Sequence, residues 1–343
     1  MTSGLKVINP GTHTTLQDWG RFGYQHLGVP VSGALDLECF ELANALVGNP
    51  DNTASLEILY FGPTFEVTQK TIRIAVAGYG TSIEITGPEP ARYPAWRSLD
   101  LVQGQTFRIL LEGTSTSAYM AVAGGFDIPS TLGSLSTYRR AGLGGQQGRP
   151  LQAGDTLPLS DSNSPEGHNV QLSLPPYDPS QPIRVIWSIQ KDWFTEQSLN
   201  TFVSEPFIIQ PESDRMGCRL AGPEITHKET SDIISDGIAT GAIQVPGSKQ
   251  PIIMLSDHQT TGGYPKIANV ISADLPRMGR IKPGQEIRFA VVDVAGAEQI
   301  RRDQHAKLVR MKQNLDPVSE QVGIDLKVLY EANLISGVVD DSE

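Results

Sequence analysis

Short apolar runs separated by Gly, Pro, Asn and Asp set the pattern of this chain. Leu56–Leu59, Phe65–Val67, Ile72–Ala77, Ser82–Ile85 and Thr106–Leu111 are rich in β-branched or aromatic residues, have strand length, and are bounded by turn residues. Val7-Ile8 predicts an earlier strand, and Tyr119–Ala123, Arg184–Ile189 and Pro251–Leu255 predict later ones. The period changes in few places. Leu35, Phe40, Leu42, Ala43, Leu46 and Val47 recur at helical spacing, so residues 34–47 predict a helix. Ser32 is its candidate N-cap and Gly48-Asn49-Pro50 its stop. Thr195–Val203 predicts a second short helix. From Gly296 onward, Ile300, Leu308 and Met311 alternate with charged residues, which predicts a solvated helical tail, with a further helix over Asp316–Leu334.

The elements group into a mainly β protein with a few short helices. Residues 160–182 are polar and Pro-rich, the best linker. They divide the chain into β units over 1–160 and 183–292, with a tail over 293–343. An echo runs between the units. Gly104 lies over Gly284 at an offset of 180, while Gly62 over Gly241 and Gly78 over Asp257 lie at 179. That spacing suggests an internal duplication.

Composition narrows the function classes. The 343 residues carry a formal charge of -11, which disfavours nucleic acid or an anionic membrane as partner. No apolar run approaches the length of a membrane span, and no charged-then-apolar leader is present, so a cytoplasmic protein is expected. Two cysteines, Cys39 and Cys218, give neither a disulfide framework nor a metal spacing, and six scattered histidines form no metal motif. No Gly-x-x-x-x-Gly-Lys-Ser/Thr loop and no Gly-x-Gly-x-x-Gly after a strand is found.

The densest chemistry lies at 255–267, Leu-Ser-Asp-His-Gln-Thr-Thr-Gly-Gly-Tyr-Pro-Lys-Ile. Gly262-Gly263 permits a sharp turn or close approach to a ligand. Asp257 can accept a proton or bind an amide N–H. Thr260, Thr261 and Tyr264 can donate hydrogen bonds, and Lys266 can offset developing negative charge. A β-turn whose Asp and Thr bind their own backbone accounts for the same residues. Arg215 and Arg219 can grip a carboxylate or phosphate, and Gln244 can bind a carbonyl or cap a strand end. Arg215 with Asp257 also reads as a structural salt bridge. Arg21 with Asp18 and Arg149 with Asp155 read equally as loop staples.

Eight blocks in order carry a family resemblance. They are Gln-Asp-x-Gly-Arg-x-Gly (17–23), Val-Pro-x-Ser-Gly-Ala-x-Asp (29–36), Ala-Asn-x-Leu-Val-Gly-Asn (43–49), Leu-Gly-Ser-x-Ser-Thr-Tyr (132–138), Gly-Gly-x-x-Gly-Arg-x-Leu-x-x-Gly-Asp (144–155), Ser-Asp-Arg-Met-Gly-x-Arg-Leu-x-Gly (213–222), Gly-Ala-Ile-Gln-Val-Pro (241–246) and Asp-x-Gln-Thr-Thr-Gly-Gly-Tyr-Pro (257–265). Over about residues 5–292 the chain resembles the biotin-dependent carboxyltransferase, or allophanate hydrolase subunit 2, family. It departs at Ser235-Asp236-Gly237, where the family often has Ser-Glu-Gly, and lacks an Ala-Gln pair ahead of Arg280.

The resemblance implies two cyclophilin-like β-barrel units. It implies a subunit of an ATP-dependent 5-oxoprolinase, which converts 5-oxo-L-proline, ATP and water to L-glutamate, with ATP acting at the level of the complex. The implied partners are a subunit resembling allophanate hydrolase subunit 1 and a lactam-utilisation-type subunit, and the substrate is a small amide. Two alternatives stay open: a biotin-dependent urea or amide carboxylase component, and a non-enzymatic antagonist of a sensor-kinase inhibitor. No biotinyl acceptor Ala-Met-Lys-Met is present. On the amide-enzyme readings, Asp257, Lys266 and Tyr264 are the catalytic candidates. Arg215, Arg219, Gln244, Thr260, Thr261, Gly262 and Gly263 are the binding candidates, and no metal is expected. Strand ends of one barrel share a mouth, so Arg215, Gln244, Asp257, Thr260, Tyr264 and Lys266 are expected in one cleft.

Overall fold

The computed structural model describes residues 4–113, 115–160, 167–174 and 177–318. The first half runs β1 Gly4–Asn9, β2 His13–Gln17, α1 Leu37–Leu46, β3 Ser55–Leu59, β4 Thr64–Val67, β5 Thr71–Ala77, β6 Thr81–Thr86, β7 Ala91–Pro94, β8 Arg97–Val102, β9 Thr106–Leu111, β10 Ser117–Val122, β11 Thr156–Pro158 and β12 Val170–Gln171. The second runs β13 Ile183–Trp187, α2 Glu196–Ser204, β14 Phe207–Ile209, β15 Gly217–Ala221, β16 Asp236–Gly237, β17 Ala242–Gln244, β18 Ile252–Met254, β19 Thr261–Gly262, β20 Lys266–Val270, α3 Leu275–Met278, β21 Glu286–Ile287, β22 Phe289–Val291, α4 Val294–Gln313 and β23 Asp316–Pro317. The mainly β reading and the expected early strands and helices are met within a few residues. The strands β7 and β8, which lie in different sheets, went unforeseen, because Tyr93-Pro94 and the Trp96 turn interrupt the alternation there.

Two sheets enclose the first core. One has the order β11-β1-β4-β9-β6-β7, the other β2-β3-β10-β5-β8-β12-β23. Leu5, Val7, Ile58, Phe65, Ile74, Phe107 and Met120 fill the space between them. The second core lies within an eight-stranded sheet, β21-β14-β15-β18-β17-β20-β13-β22. Its two edge strands, β21 and β22, follow each other directly in the chain, so the sheet is nearly closed. Phe202 and Phe289 stack inside it with ring centroids 4.4 Å apart.

α1 packs on the sheet of β5 and β10. Ala75, Ala77 and Ala121 leave room there for Phe40, Ala43 and Leu46. Its N-cap is Asp36, whose carboxylate accepts from Cys39 N at 3.1 Å. Ser32 does not cap it; with φ 59°, Ser32 sits in the loop before the helix. The 179–180 echo does not extend to strand pairing. β17 and β18 are hydrogen-bonded neighbours, whereas β4 and β5, at the corresponding positions, lie in different sheets. Gly104 and Gly284 match because both occupy left-handed turn positions, φ 87° and 84°.

The tail helix α4 is docked along one side and, as expected, solvated over most of its surface. Lys312 Nζ lies 2.9 Å from Glu41 on α1 and 2.9 Å from Asp51, Gln304 donates to Ala273 O, and Leu308 is buried. Asp316-Pro317 is a strand, not the start of a helix, and pairs with β12 inside the expected linker. The rest of the helix expected over 316–334 lies, from 319 on, outside the described residues. Among the described residues no helix is long and apolar enough to cross a membrane.

Candidate functional site

The β15–β18 register decides what meets at the junction of the halves. Gly217 pairs with Met254, and beyond the ladder Leu255 N donates to Met216 O and Asp257 N to Arg215 O. Arg215 is thereby set beside Asp257, with Nε 2.9 Å from Oδ2 and Nη2 3.1 Å from Oδ1. The guanidinium then crosses to the first half. It donates to Gly33 O at 2.7 Å and to the fully buried Glu57 on β3. Glu57 also accepts from Tyr119 Oη at 2.6 Å and Leu35 N at 2.8 Å. Tyr119 Oη accepts from Asp36 N, and the Asp36 carboxylate takes Arg280 Nη2 at 2.9 Å. Arg280 lies over the Tyr79 ring at 4.9 Å and also binds Glu38.

These groups form one buried polar chain across the two halves. Burial alone would disfavour the Arg215 charge, but Asp257 and then Glu57 outweigh it and hold its pKa above the ordinary value. Burial, then Glu57, pushes the Tyr119 phenol well above its usual range. The ion-pair reading of Arg215 and Asp257 is therefore the observed geometry. Each Asp257 oxygen accepts one of these bonds, which leaves further lone pairs available.

A cavity of about 670 Å³ opens beside this chain. Its floor includes Leu35, Leu59, Leu255, Met278 and Ile281, and Arg215 and Asp257 reach its wall. From the first half come His13, Thr137, Arg139 and Arg140. These four carry no role in the sequence reading. Thr137 is the last residue but one of a quoted block and the Arg pair follows that block, but nothing local says that they face β2. Asp18 is what brings them there. It accepts from Ser134 Oγ and Leu135 N, both at 2.7 Å, while Thr137 N donates to Leu16 O. Burial, reinforced by the charges of Arg215 and Arg139 and opposed by Glu57 and Asp257, lowers the His13 pKa. Its Nδ1 is buried and without a partner.

The expected single cleft is not formed. Of the ten residues singled out, only Arg215 and Asp257 line this cavity. Lys266, Gln244, Tyr264 and the 260–263 turn gather elsewhere, around the two-stranded ribbon of β16 and β19, in which Asp236 pairs with Gly262. There Lys266 Nζ is buried, 3.5 Å from Asp236 Oδ2. Gln244 Nε2 donates to Tyr264 O, Thr260 O accepts from Ile238 N, and a Cβ on Gly262 would strike Gln244. Tyr264 is exposed, as are Thr261 and, on β15, Arg219, which borders a shallow groove with Gln210 and Gln250. The physical reason is that the β15–β18 ladder delivers residues 215 and 257 to the first half, whereas the ribbon holds residues 260–264 in its own turn. Arg149 and Asp155 do staple a loop, at 2.7 and 2.8 Å. Arg21 instead donates to Ser136 O, while Asp18 takes the donors of the 134–136 loop and Gly20 N. Among the described residues no group of three or more His, Cys, Asp or Glu is placed to hold a metal ion.

Comparison with known proteins adds an independent line. The family model described as "Carboxyltransferase domain, subdomain A and B" matches residues 27–291. A 5-oxoprolinase subunit of Escherichia coli is 35% identical over 306 residues, covering 88% of this chain and 95% of that one. The protein of the same name from Haemophilus influenzae is 32% identical, covering 91% and 99%. Urea amidolyase of Lachancea kluyveri is 32% identical, covering 89% of this chain but 18% of its own length. The solved structure of Kluyveromyces lactis urea amidolyase superposes with a TM-score of 0.84 at 28% identity, over 90% of this chain and 20% of that one. This chain thus spans about a fifth of the urea amidolyases it matches.

Proposed function

Given that the chain belongs to the family of carboxyltransferase domains with subdomains A and B, we propose that it serves as one subunit of an ATP-dependent 5-oxoprolinase. The observation that carries this reading is the near end-to-end match to two bacterial proteins that bear the name of one 5-oxoprolinase subunit. Those alignments leave almost none of either protein over, whereas a urea amidolyase needs several times this length. The partners are a subunit resembling allophanate hydrolase subunit 1 and a lactam-utilisation-type subunit, and the assembly works in the cytoplasm.

The chemistry fits the cavity between the halves. A lactam is resonance-stabilised, so its opening needs the carbonyl activated and the departing nitrogen protonated. ATP, when bound in the complex, would supply the activation of the carbonyl oxygen; this sequence carries no phosphate-cradling Gly-Lys loop of its own. This chain's residues hold the ring. Leu59, Met278 and Ile281 offer an apolar bed for its methylenes, and Asp257 keeps lone pairs that can accept the lactam N–H while Arg215 fixes its plane. Lys266 and Tyr264, on the separate ribbon, do not line this cavity. A deletion strain tests the reading. Loss of this chain in its host should raise intracellular 5-oxoproline and leave urea consumption unchanged. Unchanged 5-oxoproline with impaired urea use would favour the biotin-dependent carboxylase instead.

A further inference from the structure

A second cavity, of about 220 Å³, adjoins the first. Leu35 and Leu255 line both. Each of three segments gives residues to the two linings. Ser32 and Ala34 line the second cavity, two positions before the shared Leu35 and beside it. Ser256 lines the second and Asp257 the first. Pro276 lines the second and Met278 the first. The wall between the cavities is thus thin, and it carries the polar chain of the site. Gly33 O accepts from Arg215, Leu35 N donates to Glu57, and Ser32 N donates to Ser256 O at 3.0 Å, next to Asp257.

The lining of the second cavity is mostly apolar. Leu37, Leu275 and Leu308 stand there with Trp19 and Phe22, which stay 40% and 66% exposed. An apolar cavity stays dry and takes an apolar guest, and about 150 Å³ suffices for a benzene ring. This one therefore holds a branched chain, or one ring with a short tail, and lies below the size that takes a drug-sized ligand. The charges at its wall are unequally matched. Glu38 already binds Arg280 at 2.6 Å and Glu41 binds Lys312 at 2.9 Å. Arg301 donates to the neutral Gln304 at 2.9 Å and has no carboxylate partner among the described residues. An apolar body with one carboxylate complements both features. An apolar amine does not, since both acids hold cations of their own.

We propose that the second cavity is an effector site for a small apolar monocarboxylate, whose binding tightens the first cavity on its own ligand. The guest packs against Leu35 and Leu255 from the far side. It thereby holds the shared wall where Gly33 and Leu35 fix Arg215 and Glu57. Coupling of this kind is reciprocal, so a ligand in either cavity favours the other. The effect on catalysis rests on the reading of the first cavity as an amide site; the ligand class of the second cavity does not.

The test titrates the full chain with 4-methylpentanoate and with the uncharged 4-methylpentanamide, by calorimetry and by NMR of the methionine methyl groups. The amide should bind roughly threefold to fivefold more weakly than the acid, the worth of one exposed Arg–carboxylate pair. Arg301→Gln should abolish that difference. Ser272→Phe and Leu308→Phe, which place a ring at the second cavity only, should abolish binding of both. Ser272 is exposed, so its variant should melt as wild type does. Met216 and Met278 line the first cavity and not the second, so a shift of their methyl signals on adding the acid reads the coupling directly. 5-Oxo-L-proline should bind roughly fivefold more tightly when the acid is present. No binding of the acid, binding that survives both Phe substitutions, displacement of the acid by 5-oxo-L-proline, or unmoved Met216 and Met278 signals would each overturn the effector site. If 5-oxo-L-proline does not bind at all, while the acid binds, is lost in both Phe variants and moves the two methyl signals, the effector site stands and the amide reading of the first cavity falls.

Discussion

Removing one carboxylate from Arg215 tests how the halves are held together. The guanidinium is 7% exposed and spends its donors on Asp257, Glu57 and Gly33 O. Breaking a buried ion pair from one side costs about 3–5 kcal/mol, chiefly because the remaining charge loses its compensation. In Asp257→Asn, Arg215 keeps Glu57 as a counter-charge, so the loss should fall near the low end, about 3 kcal/mol. Arg215→Met leaves Glu57 and Asp257 buried together without a cation and should reach the upper end, about 5 kcal/mol. Urea unfolding of the single chain measures both, and Asp257→Asn should lower the midpoint of thermal unfolding by on the order of 5 °C. A double-mutant cycle with Glu57→Gln should show coupling of at least about 1 kcal/mol, because both carboxylates act through one guanidinium. Asp257→Asn with unchanged stability and abolished turnover would refute the structural assignment and make Asp257 purely catalytic.

Four further outcomes follow from the geometry. Asp36→Asn weakens both the α1 cap and the Arg280 pair, so it should destabilise the chain by more than the roughly 1 kcal/mol of a lost cap alone; a loss within that value would show the pair to be dispensable. The folded-state pKa of His13 lies below its ordinary 6.5, so the unfolded chain binds more protons there and stability falls as pH drops through 6.5 toward the folded value. His13→Gln should flatten its share of that slope in unfolding curves between about pH 5 and 7, and an unaltered slope would contradict the burial argument. Burial raises the thiol pKa of Cys39 well above its ordinary value, and that of Cys218 to about 12, so neither should react with a thiol reagent at pH 8 until the chain is unfolded; rapid labelling of the folded chain would contradict that burial. Lys266→Met, which replaces a buried ammonium by an apolar side chain of similar size, should leave stability within about 1 kcal/mol while lowering turnover of the complex; a stable variant with full turnover would remove Lys266 from the chemistry.

Strands were legible where turn residues bracket β-branched runs, as at Thr71–Ala77 and Thr106–Leu111, since both signals are local. In the second half many strands have two or three residues, too short for any period to show; β16, β19 and β21 are examples. The site was half legible. Arg215 and Asp257 announced themselves as a possible pair, and the pair exists. Their third member, Glu57, lies 158 positions from Arg215 inside a strand that reads as ordinary, so only the packing of the halves reveals it. Lys266 and Tyr264 were grouped with Asp257 because they are close in sequence, but the β16–β19 ribbon separates them. His13 and the Arg139-Arg140 pair were invisible for the opposite reason, since Asp18 joins segments more than a hundred residues apart.

The most direct measurement is L-glutamate release from 5-oxo-L-proline and ATP by the purified three-subunit mixture, with this chain present, omitted or alone. Stoichiometric glutamate and ADP should form only when all three subunits are combined, and none from this chain alone. Full activity with this chain omitted, or no activity from the complete mixture alongside biotin-dependent carboxylation of urea, would contradict it.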